Sequence, residues 1–64
     1  MDFAIFSTEQ LEKLVRIEKS AADRAQKSYL AAMGTSHEAS MQKYAAEALE
    51  RYYEAYDEWK SRAS

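Results

Sequence analysis

The chain has no cysteine and no proline, and a single glycine among its 64 residues. Without cysteine, neither a disulfide framework nor a thiolate metal site is available. The shortage of turn residues excludes hairpin-rich β folds. No apolar run approaches the roughly 18 residues that a membrane span needs. The opening segment, Met1 to Phe6, is too short and starts too acidic for a secretory signal, so the cytosol is the compartment expected. Charge of one sign is also lacking: 9 Lys and Arg stand against 11 Asp and Glu, a net charge of -2. That balance argues against a generic nucleic-acid binder while leaving room for a local basic patch.

What is present is helix-forming. Hydrophobic residues make up 47% of the chain and charged residues 31%, which sets it apart from disordered sequences. The pattern predicts an all-α fold, an antiparallel αα-hairpin spanning residues 1–64 as a single domain: a lead over 1–6, a helix over about 8–33, a corner at 34–35 and a second helix over about 36–62. Ser7 with Gln10 forms a capping box at the first start, and Phe6 is placed to staple onto Leu11. The lone glycine, Gly34, suits the left-handed position after a helix C-terminus. Thr35 with Glu38 then offers a second capping box. One unbroken helix is the competing reading, opposed by Gly34-Thr35-Ser36 and the caps around it.

The seam follows from numbering. Leu11, Val15, Glu18, Ala22, Ala25, Tyr29 and Ala32 step by four and three, as a heptad seam does, and so do Met41, Ala45, Ala48, Tyr52, Ala55 and Trp59. Folded back at the glycine, facing residues have numbers that sum to 70. Leu11 then meets Trp59 at the open end, and alanine meets alanine near the corner (Ala22 with Ala48, Ala25 with Ala45). Small pairs let the axes approach closely. Glu18 interrupts the seam opposite Tyr52. Two readings stand: a hydrogen bond from the Tyr52 phenol, or a carboxylate leaning out to solvent.

A chain this small buries a modest core and commonly needs self-association or a partner. Its aromatics outnumber the places on one seam. Tyr44, Tyr53 and Tyr56 lie beside or off the stripe, with Ile17 and Leu30, and Phe3, Ile5 and Phe6 precede the first helix. Tyr and Trp are favoured in binding hot spots, so the expectation is a homodimer closing a four-helix bundle, or docking on a larger protein partner. Glu47, Glu50, Glu54, Asp57 and Glu58 project opposite the seam as an acidic ridge, partly offset by Lys43 and by Arg51 as the i,i+4 partner of Glu47. The ridge reads either as solvated surface or as a docking strip for a basic protein groove. On the outer face of the first helix, Lys13, Arg16, Arg24 and Lys27 form a basic strip, with Lys19 at its edge. In a dimer the strip would be doubled and suited to RNA phosphates, though no aromatic is interleaved for stacking.

Catalytic constellations are missing. The sole histidine, His37, stands in the first turn of the second helix with no ligand partner a turn away except Met41. No phosphate loop, metal-binding helix motif or nucleophile elbow is found. No enzyme, cofactor or metal is therefore expected.

No family motif matches residue by residue. In its paired heptad stripes and short corner the chain resembles the helical hairpins that dimerise into four-helix bundles, the Rop family of plasmid RNA-binding proteins among them. Its size, acidity and lack of cysteine resemble small phage-encoded inhibitors, anti-CRISPR proteins among them, and that resemblance implies action by occluding a host machine. The first expectation is thus a non-enzymatic interaction protein of inhibitor or adaptor type. It would use Tyr44, Tyr53, Tyr56, Glu47, Glu50, Glu54 and Asp57. The alternatives are a dimeric RNA-binding bundle using Lys13, Arg16, Arg24 and Lys27, and a small oligomer holding a nucleotide between protomers.

Overall fold

The computed structural model describes residues 3–63, and the expected lead and domain extend beyond these at both ends. Among the described residues a 3-10 turn, Phe3–Ile5, leads into helix α1, Thr8–Ala32, which is followed by helix α2, Glu38–Ala63. No strand occurs among them. The two helices pack antiparallel as a hairpin about 42 Å long and 17 × 16 Å across in its Cα envelope.

The start of α1 forms as its residues dictate. The Ser7 hydroxyl accepts from the Gln10 amide at 3.1 Å, and the Gln10 side chain accepts from the Ser7 amide at 2.9 Å. Two otherwise orphaned donors are thereby satisfied. At the other end, α1 stops at Ala32 and Met33 turns extended with φ -60° and ψ 133°. Gly34 then takes φ +82°, a conformation that costs a side-chain-bearing residue roughly 1–2 kcal/mol.

The corner is longer than the two residues expected. Thr35 does not cap α2 in the anticipated way. Its amide donates to the Ala32 carbonyl at 3.0 Å, and its hydroxyl turns back to the same carbonyl. With the Thr35 amide spent, the Glu38 carboxylate accepts from the Gly34 amide instead, at 3.4 Å. The Thr35 hydroxyl still accepts from the His37 amide at 3.2 Å. The first helical acceptor is the His37 carbonyl, reached by the Met41 amide at 3.0 Å. Helix α2 therefore begins at Glu38 rather than near 36, and His37 lies just outside it.

The seam packs in the register read from the numbering. Ala22, Ala25, Ala45 and Ala48 form one buried cluster, with Tyr29 and Tyr52 packed against it. Leu11 is fully buried at the open end and Ala55 nearly so. Leu11 is the only large side chain fully enclosed among the described residues. A seam of alanines brings the backbones close, and beyond Leu11 it leaves little interior for larger side chains. These are displaced to the two flanks of the layer.

Candidate interaction surface

Helix arithmetic assigns each outward side chain to a flank. At about 100° per residue, Tyr44 and Tyr53, nine positions apart, point in opposite directions. The three tyrosines expected beside or off the stripe are therefore divided: Tyr53 and Tyr56 fall on one flank, Tyr44 on the other. The acidic ridge lies between them on the outer face of α2.

The aromatic flank centres on a run of rings along α2. Tyr53 contacts Tyr52 with ring centroids 5.4 Å apart, Tyr52 contacts Tyr56 at 5.9 Å, and Tyr56 contacts Trp59 at 6.0 Å. All three pairs are tilted, within the 4.5–7 Å range in which aromatic pairs attract. Glu12, Val15, Arg16 and Lys19 of α1 line a groove along Tyr52, Tyr56 and Trp59. Tyr53 keeps 54% of its surface in water and Leu49 keeps 41%. By the same arithmetic Leu30, also exposed, shares this flank.

The charged flank is furnished differently. Phe3, Leu14, Glu18, Arg51, Glu54 and Ala55 line one groove. The Glu18 carboxylate does not meet the Tyr52 phenol, because Tyr52 turns its ring to Tyr53 and Tyr56. Its partner is Arg51 across the seam, with Nε 3.7 Å from Oε2. At that distance, with the Arg51 side chain half exposed, the pair contributes on the order of a few tenths of a kcal/mol. The lead is tied down at the same edge. The Arg62 guanidinium donates to the Phe6 carbonyl at 2.5 Å and to the Phe3 carbonyl at 2.7 Å. Glu58, one turn earlier, holds the Arg62 Nε at 3.1 Å. Phe3 and Phe6 sit with ring centroids 6.5 Å apart.

These pairings revise the charge map. Arg51 goes to Glu18 rather than Glu47, and Glu58 leaves the ridge to orient Arg62. Glu47, Glu50, Glu54 and Asp57 remain, all exposed and none in an ion pair. On α1, Lys13, Arg24 and Lys27 are likewise exposed and unpaired, whereas Arg16 bonds Glu12 at 3.0 Å. The basic strip is thus shorter than the numbering implied. Among the described residues no group of three metal-ligating side chains converges, and no helix is long and apolar enough to cross a membrane.

Sequence reasoning passed over two residues. Arg62 shows no motif, yet the register that sums to 70 sets it level with Thr8, beside the lead. Leu49 was overlooked because it stands one position after the seam residue Ala48, where a second stripe runs.

No family model, curated protein or solved structure matches the chain.

Proposed function

We propose that the chain is a non-enzymatic interaction module, of inhibitor or adaptor type, that acts by laying the outer face of α2 onto a larger protein. The observation that supports this reading is a run of four unpaired carboxylates, Glu47, Glu50, Glu54 and Asp57, bordered by the half-exposed rings of Tyr44 and Tyr53. The four charges span about 15 Å of helix axis. Their spacing of about 5 Å per charge is comparable to the one per 3.4 Å of a nucleic-acid strand. A basic groove that ordinarily holds nucleic acid is therefore the partner surface of matching chemistry, with the tyrosines supplying contact area at the rim. Steric occlusion asks least of so small a protein, and a phage-encoded inhibitor of a host nucleic-acid-binding or defence complex is the specific form of the reading.

The test is capture of partners on the immobilised chain at two salt concentrations. Glu50→Lys with Glu54→Lys should abolish retention of a partner that the unmodified chain holds, and raised salt should weaken that retention. Retention of the same partner at unchanged strength contradicts the proposal. A salt-dependent gel shift with RNA, lost on Lys13→Glu with Lys27→Glu, would instead favour the basic strip of α1.

A further inference from the structure

The molecule is elongated for its size. Its Cα radius of gyration is 13.8 Å, whereas a compact chain of this length has about 10.7 Å and one twice as long about 13.9 Å. Its accessible surface is 4765 Å², against about 4200 Å² expected of a compact monomer of this mass. One broad face of the 42 × 17 Å envelope offers about 700 Å², close to the roughly 800 Å² per partner of a standard interface. A second copy laid on one broad face would thus give a particle of ordinary compactness.

The two flanks do not compete equally for that copy. On the charged flank, α2 presents Ser40, Tyr44, Glu47, Arg51, Glu54 and Glu58, four of them charged, and the lead, held by Arg62, forms one wall of the groove there. On the aromatic flank, α2 presents Gln42, Ala46, Leu49, Tyr53, Tyr56 and Lys60, stepping by four and three one position after the packed seam. This second stripe has its own symmetry. Laid antiparallel on itself with residue numbers summing to 102, it sets Leu49 against Tyr53, Ala46 against Tyr56 and Gln42 against Lys60 of the other copy. Large side chains meet small or aliphatic ones, as interdigitating seams require.

From this self-matching stripe, the uncovered rings and the elongated shape, we infer that the aromatic flank is a homodimer interface. In it, α2 packs antiparallel on α2 of a second copy about a two-fold axis near the level of residue 51. The same axis sets α1 over its copy and closes a four-helix bundle. The acidic ridge, the lead and the charged flank remain outside. The inference shares Tyr53 with the interaction-module reading, which places that ring at the rim of the acidic ridge, and otherwise uses different residues. The seam register places Lys19 at the axis beside its own copy, an unfavourable like-charge approach that sets a limit on the affinity.

Sedimentation equilibrium of the full chain, from micromolar to millimolar concentration, tests this. The unmodified chain should reach twice its 7.4 kDa mass. Leu49→Glu with Tyr53→Glu should weaken association at least about thirtyfold, while Ile17→Glu and Tyr44→Glu on the other flank leave it unchanged. Lys19→Gln should tighten association several-fold. Circular dichroism checks that the variants stay helical. If the double variant does not, Tyr53→Ser alone carries the test by the same loss of mass. A 7.4 kDa species at every concentration overturns the inference. So does a dimer broken by the Ile17 or Tyr44 variant instead, or one loosened by Lys19→Gln. Glu50→Lys with Glu54→Lys, which addresses the partner reading, should leave the mass untouched, so the two proposals fail separately.

Discussion

On the charged flank the lead is pinned to the hairpin: Phe3 walls the groove with Leu14 and Ala55, Arg62 donates to the carbonyls of the lead, and Glu18 finds Arg51, while Ile17 and Tyr44 stay exposed. The aromatic flank has rings in contact along about two turns of α2, with Glu12, Val15, Arg16 and Lys19 of α1 alongside. The difference comes from the seam between them. Alanine pairs bring the helix axes together, and a close seam leaves Leu11, at the open end, as the one large side chain fully enclosed among the described residues. Larger side chains then stand on the flanks, Ile17 and Tyr44 on the charged one, Leu49 and Tyr53 on the aromatic one.

The largest effect expected from altering this arrangement comes at the seam itself. Ala48 is fully buried, and Ala48→Leu forces the axes apart at the point where both flanks take their spacing. Urea unfolding should show a loss of about 1–3 kcal/mol, with the dimer weakened along with the fold. Arg62→Ala acts on the charged flank alone. It removes two charge-assisted bonds to the lead, part-exposed, and should cost about 1–2 kcal/mol. Amide exchange should rise at Ile5 and Phe6 while the aromatic flank keeps its protection. Next comes Gly34→Ala, at about 1 kcal/mol. The added methyl meets nothing within 4 Å, so the cost is the positive φ alone, and thermal melting should show both flanks losing stability together. Smallest is Glu18→Gln, at a few tenths of a kcal/mol. Its more telling result is on the ridge. Arg51, released, lies one turn from Glu47, and retention of a basic partner should weaken while the dimer does not.

Much of this was legible in residue order. The capping box at Ser7, the left-handed Gly34 and the alanine register all follow from local rules, because each depends on neighbours in sequence or on a fixed period. What escaped was decided by competition. The order of residues makes Thr35 the expected cap of α2, but its amide and hydroxyl are both drawn to the Ala32 carbonyl, and the helix starts at Glu38. Arg51 had two carboxylates within reach, and only the folded seam shows that Glu18 is the one it meets. The candidate surface was legible in kind but not in grouping. Tyr44 and Tyr53 are both candidates for partner contact, but their spacing sets them half a turn apart. The second stripe, including Leu49, was hidden by being the immediate neighbour of the first.

Because the chain has no cysteine, single cysteines report proximity without background. Mixing an Ala46→Cys protein with a Tyr56→Cys protein in equal amounts, and oxidising, tests the antiparallel α2 seam most directly. The account predicts that the mixed disulfide dominates, because positions 46 and 56 face each other across the two-fold axis. Like positions are offset by about 15 Å along the helices, beyond the reach of a disulfide. A statistical mixture of like and unlike pairs, a preference for 46 with 46, or no crosslink at concentrations where the chain is dimeric would contradict it.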